Sequence, residues 1–182
     1  MLQTKRSRAA IAIGACVLAV LALAVPAGAK TYSVRGTQTI IDEDAGLFKM
    51  HGSLKGRWAT TSFEVLGTDP YFHARGTERF TGCLDRKHDH SCRRDPKGTL
   101  SFTFDYWALF ASEDPESLVW GACWHPIVEG TGDFAGAQGV IQMVDTPTRE
   151  GVVTKYIGNV TLKGHASKRR ARTASAARSR CG

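Results

Sequence analysis

Neither a G-x-S-x-G elbow nor an H-E-x-x-H pair occurs in this chain. That excludes the strained serine nucleophile of the α/β-hydrolases and the helical zinc site of metalloproteases. No C-x2-C pair is present either, so the common zinc-ribbon and finger frames are missing. After residue 30 no stretch keeps a helical hydrophobic period for three turns, which excludes a helical bundle. From residue 165 to the end there is no acid and no large apolar side chain. Such a tail cannot offset its ordering entropy by burial and is expected to be disordered. The chain has a single long apolar run, residues 9–25, and its flanks give that run a meaning.

Lys5, Arg6 and Arg8 precede the run, and Pro26-Ala27-Gly28-Ala29 follows it. A basic start, an apolar middle and a small-residue exit of A-x-A type make a secretory signal peptide, with cleavage expected after Ala29. The run is 17 residues long, short of the ~20 a membrane span needs, so no transmembrane segment is expected in the mature chain. Arg6-Ser-Arg8 is not a twin-arginine pair, and Cys16 sits inside the apolar run rather than at a lipoprotein cut. The protein is therefore expected outside the cytoplasm, secreted or in the cell envelope. The domain plan that follows is a leader over residues 1–29, one folded domain over 30–164 and a basic tail over 165–182.

Charge is unevenly placed along the chain. Of 24 basic and 17 acidic residues, three basic ones leave with the leader and six lie in the tail, so residues 30–164 carry about −2. A nucleic-acid-binding fold carries its basic patch on the folded part, and no specific nucleic-acid partner is expected here. The tail, with Lys168, Arg169, Arg170, Arg172, Arg178 and Arg180, is suited instead to an anionic surface.

The body reads as strands. Leu100, Phe102, Phe104 and Tyr106 alternate with Ser101, Thr103 and Asp105, the period of a half-buried strand. Residues 31–41, 58–66, 118–128, 140–144 and 152–162 are further candidates, the last two flanking a turn at 145–151. Short strands separated by Gly-rich turns argue for a barrel or a sandwich.

A seven-residue phrase occurs twice. Gly76-Thr-Glu-Arg-Phe80-Thr-Gly82 and Gly130-Thr-Gly132-Asp-Phe134-Ala-Gly136 both read G-T-x-x-F-x-G. They suggest two strand–turn elements in which glycines take φ > 0 and each Phe plugs the core. The second copy runs on to Gly139 and is followed by an apolar strand, a turn and Tyr156-Ile-Gly158. This region, roughly residues 120–164, resembles the closing part of the allene oxide cyclase and dirigent-like β-barrels. It is similar also to secreted bacterial proteins of unassigned function. The resemblance implies an all-β fold, a single eight-stranded antiparallel barrel with an apolar interior, which in the cyclase and dirigent branches holds a hydrophobic ligand. The motif describes a turn and a closure, not chemistry, so no catalytic residue is carried over.

The residues themselves offer a few candidates. Four cysteines follow the leader, and Cys83 and Cys92 bracket a polar loop, the pairing expected in an oxidising compartment. With His88 and His90 the same pair could ligate zinc, but the spacing fits no common frame, and no metal or cofactor is expected. Cys123 pairs with Cys181 or is a buried thiol. Asp42-Glu43-Asp44 and the acidic run at 113–116 read as solvated turns. Trp58, Glu64, Tyr106, Trp124 and His125 are the candidate pocket residues: aromatic or ionisable groups placed in strands. Glu64 is the weakest, since alternation sets it opposite Phe63 and Val65.

These features lead to a secreted, non-enzymatic barrel that binds a small apolar molecule or has an extracellular structural role. Two alternatives stand beside it: an isomerase or cyclase of the allene oxide cyclase type, and a tail-held protein of anionic envelope surfaces.

Overall fold

The computed structural model describes residues 28–68, 71–86, 92–112 and 117–163. The leader up to residue 27, the basic tail with Cys181, the His88–His90 pair and the acidic run at 113–116 lie outside the described residues. Eight strands follow in chain order: β1 (Lys30–Asp42), β2 (Leu47–Gly52), β3 (Leu54–Gly67), β4 (Phe72–Leu84), β5 (Lys97–Phe110), β6 (Leu118–Gly130), β7 (Gln138–Thr148) and β8 (Gly151–Leu162). Each pairs antiparallel with its sequence neighbours, and β8 pairs with β1 to close the barrel. Closure decides between the two architectures open to the sequence, in favour of the barrel.

Alternation divides the side chains between the two faces. On β5, Leu100, Phe102 and Phe104 are buried while Thr103 and Asp105 are exposed. The same parity sends Val34, Met50, Trp58, Phe80, Ile141, Met143, Tyr156 and Val160 inward to one core. The strands run longer than expected. In particular, β7 and β8 continue to Thr148 and from Gly151, so Asp145 belongs to a strand and the turn shrinks to Arg149 and Glu150.

The repeated phrase has two different fates. Its second copy is a true turn: Gly130 ends β6, Gly132 opens a single 3₁₀ turn (Gly132–Phe134) with φ 63°, and Phe134 drops into the lower end of the barrel, where it is fully buried. Only glycine takes that φ without strain. The first copy contains no turn. It lies wholly within β4, where Phe80 is a core side chain in contact with Phe134, ring centroids 6.3 Å apart. The expectation of two strand–turn elements thus holds for one copy only, because β4 continues unbroken through Gly76 and Gly82 with both neighbours in register.

Two ties hold the lower half, one long-range and one local. The Tyr156 hydroxyl accepts the N–H of Leu54 at 2.8 Å and donates to the carbonyl of His51 at 2.9 Å, joining β8 to the tight β2–β3 connection across the barrel. Cys83 and Cys92 are bonded, with Cα atoms 6.0 Å apart. The segment after β4 is held further by Lys55–Asp85 at 3.1 Å and Arg86–Asp95 at 3.0 Å. The two thiols of the zinc alternative are therefore joined to each other.

Phe134 is the plug on which the lower end depends. Phe134→Ala is expected to cost ~3–5 kcal/mol, the range for a buried Phe truncated to a cavity. In a domain of this size that lowers the melting temperature by roughly 10–15 °C. A drop of only a degree or two on thermal melting would show that the end collapses without it.

Candidate functional site

Not every inward position is apolar. On β4 the parity that buries Ala74 and Phe80 also turns Glu78 inward. A carboxylate inside an apolar barrel is costly unless donors surround it. Glu78 has three: Trp58 Nε1 donates at 2.7 Å, Thr60 Oγ1 at 3.2 Å, and His125 Nε2 lies 2.9 Å from Oε2. His125 is fully buried, and its Nδ1 is 3.2 Å from the carbonyl of Ile141. A carbonyl only accepts, so Nδ1 carries a proton, and the Nε2–Oε2 contact holds another between imidazole and carboxylate. The edge of Trp58 and the ring of Phe104 enclose the imidazole, at centroid distances of 5.3 and 6.1 Å.

A second carboxylate lies one strand further round. Asp145 on β7 accepts the Thr154 hydroxyl at 2.5 Å and the phenol of Tyr106. Gly121 makes the room: a Cβ there would meet the Tyr106 hydroxyl at 2.5 Å and Asp145 Oδ2 at 3.1 Å. Burial, and then the charge of Asp145, holds the Tyr106 phenol well above its ordinary ionisation range, so it remains a hydrogen-bond donor. Cys123 sits between the two groups, opposite Tyr106 on one side and Met143 on the other. Its thiol is raised by burial first and by the charges of Glu78 and Asp145 next. It is a neutral S–H and not a thiolate nucleophile.

Aromatic rings connect this polar cluster to the upper end of the barrel. Phe63 packs against Phe104 at 6.0 Å and Phe72 at 6.4 Å, and Phe72 meets Tyr106 at 6.1 Å and Phe110 at 6.0 Å. Among the described residues nothing plugs this end as Phe134 plugs the lower one. Phe63, Val65 and Ile40 occupy inward register positions, yet Phe63 is 56% exposed and the other two are also exposed. A cleft of about 340 Å³ lies on the outer face over Phe63, Gly76 and Phe104, with Ser62, Thr77, Thr103 and the Glu64–Arg75 ion pair on its walls.

The five candidates from the sequence do not gather in one place. Trp58, Tyr106 and His125 face the interior and belong to the cluster. Trp124 is on the outer face, 53% exposed, because it precedes the inward His125 by one residue. Glu64 also points outward, where Arg75 binds it at 2.8 Å, and a shared pocket for all five is not what the fold builds. A bulge between Thr60 and Ser62 shifts the parity of β3, turning Phe63 inward and Glu64 out. Sequence reasoning missed Glu78 and Asp145. Glu78 lies two residues before Phe80 and Asp145 two after Met143, so strand parity with a known core residue would have marked both.

Among the described residues no group of three or more His, Cys, Asp or Glu side chains is arranged to hold a metal ion. No protein-family model matches the chain, and no curated protein matches it.

The buried phenols make the stability of the barrel sensitive to alkali. Tyr106 is raised as described, and burial pushes Tyr156 up to about 12 against a bond to Leu54 that lowers it. Both ionise at higher pH in the folded chain than in the unfolded one. The stability gained by keeping them neutral is complete below the unfolded phenol value of ~10 and is lost as pH rises through the folded values. Denaturation midpoints are expected to fall above that pH, and to fall less in Tyr106→Phe. An equal alkaline loss in that variant would show that the Tyr106 phenol ionises as freely folded as unfolded.

Proposed function

We propose that this protein acts outside the cytoplasm as a barrel that binds one small, largely apolar molecule at its upper end. The observation that carries the reading is the exposure of Phe63, an inward aromatic side chain packed on Phe72 and Phe104 at an end that no described residue plugs. Apolar side chains of this kind exposed together mark a binding surface more often than a packing fault. Below them, the Tyr106 hydroxyl, its proton given to Asp145, offers an acceptor oxygen, and Cys123 a neutral S–H. A mostly apolar ligand with a single carbonyl or hydroxyl group suits that sequence of walls. The Cys83–Cys92 bond supports an oxidising compartment, in line with the leader.

One observation favours a second reading, an isomerase or cyclase of the allene oxide cyclase type. The proton held between His125 and Glu78, with the Tyr106–Asp145 pair close by, supplies an acid and a base inside an aromatic enclosure. In that case Glu78→Gln would still bind an unsaturated, lipid-like substrate but leave it unchanged where the parent protein rearranges it. The resemblance to the cyclase barrels rests on the closure around Gly130, Gly132, Phe134, Gly136 and Gly139 and adds no catalytic residue. Attachment to anionic envelope surfaces through the tail is compatible with either reading.

Binding is tested with a neutral fluorescent apolar probe such as N-phenyl-1-naphthylamine. The parent protein is expected to bind it saturably, with little dependence on salt. Phe63→Asp is expected to weaken the affinity by about tenfold or more, the cost of placing a charge in an apolar contact, while the melting temperature stays close to the parent's. Unsaturable uptake, or an affinity that Phe63→Asp leaves untouched, would sink the proposal.

A further inference from the structure

The net charge of the body conceals how its charges are sorted. Glu78 and Asp145 point inward, Asp85 and Asp95 are buried, and Asp42, Glu43 and Asp44 gather at the upper turn between β1 and β2. The outer face of β2 and lower β3 is left cationic. Lys49 of β2 stands directly opposite Arg57 of β3, and the same cross-strand row continues to Thr39 on one side and to Thr81 and Thr99 on the other, with no acid in it. Like charges facing each other across strands destabilise a sheet, so folding alone gives no reason for the pair. A concavity of about 550 Å³ lies there, lined by Lys49, Met50, His51, Lys55 and Arg57 with Ile41 and the backbone of Gly52 and Gly56. The nearby acids are already engaged: Asp85 with Lys55 at 3.1 Å, and Asp133, which accepts the Lys97 N–H at 3.0 Å.

We propose that this groove seats a polyanionic chain bearing phosphate groups on successive units. On one side a further cation follows in the row Lys155–Thr37–His51 across β8, β1 and β2. On the other the row Arg57–Thr81–Thr99 across β3, β4 and β5 carries hydroxyls, since Lys55 is paired with Asp85 and Cys83 is buried. Six neighbouring strands are spanned, an arc of roughly 24 Å at ~4.8 Å per strand. A lone anion would fill only the centre of such an arc. A flat bilayer touches one side of a cylinder, whereas a flexible chain can follow the curve. The tryptophans that would anchor a barrel in a lipid interface, Trp107, Trp120 and Trp124, are on β5 and β6, away from this face. Threonine hydroxyls interleave with the cations and, with the arginine fork, are the usual donors to phosphate oxygens. Of the residues lining it only Met50 belongs to the barrel core, and the site stands independently of the apolar-ligand reading.

The test uses the full chain, so the basic tail is common to every sample, with long-chain inorganic polyphosphate as the probe. Arg57→Gln and Arg149→Gln each remove one positive charge, the first in the groove and the second at the β7–β8 turn. Affinity is expected to fall about fivefold for Arg57→Gln, tenfold or more for Lys49→Gln with Arg57→Gln, and less than twofold for Arg149→Gln, and the double variant should flatten the dependence on salt. Removing the facing charges should leave the melting temperature unchanged or raised. If the double variant melts early, Arg57→Thr, which repeats the residue already at positions 39 and 81, carries the test. Equal losses for Arg57→Gln and Arg149→Gln would overturn the proposal, as would phosphatidylglycerol vesicles that bind through this face while polyphosphate does not.

Discussion

Nine residues of β1, Lys30 to Gln38, pair in order with β8 from Leu162 back to Thr154, and through this ladder an eight-stranded sheet becomes a cylinder. Without it β1 and β8 would be two long edges with unpaired N–H and C=O groups, open to pairing with other chains. With it every strand has two neighbours, and each side chain is assigned to an inside or an outside by parity alone. The tie from Tyr156 to Leu54 and His51, and the Phe134 plug, depend on that closed interior, because both reach across it.

Closure also explains the polar cluster. A carboxylate on an open sheet can turn toward water, but inside a cylinder it must find donors there. Glu78 is met by Trp58, Thr60 and His125, and Asp145 by Tyr106 and Thr154. Such an arrangement adds little stability compared with an apolar core of the same volume. This costly set of groups lies in line with the aromatic end at which small-molecule binding is proposed.

The outside is divided as sharply as the inside. Trp107, Trp120, Trp124, Val140 and Ile157 are exposed on β5 to β8, while β2 and β3 present Lys49, His51, Lys55 and Arg57. A body whose charges sum to about −2 nevertheless has a cationic face, because several of its acids are buried or turned inward. A net charge describes composition, and a partner meets only the surface.

Much of the fold was readable in one dimension. Alternation at Leu100, Phe102 and Phe104, the glycine-bounded turn ending in Phe134, and the bracket of Cys83 and Cys92 are local patterns, and each needs only a few consecutive residues to be recognised. The site was legible in part: Trp58, Tyr106 and His125 stood out as residue types, while Glu78 and Asp145 were hidden in a repeated phrase and a supposed turn. The placing of Glu64 and Phe63 hung on one extra residue near Thr61, whose bulge no local pattern marks. The sequence by itself determined strand character, the glycine turn at Gly132 and the alternating core of β5, since these follow from period and propensity. Only the tertiary structure decided which inward groups meet, which acids are removed from the surface and which end stays open, because those depend on register between strands far apart in the chain.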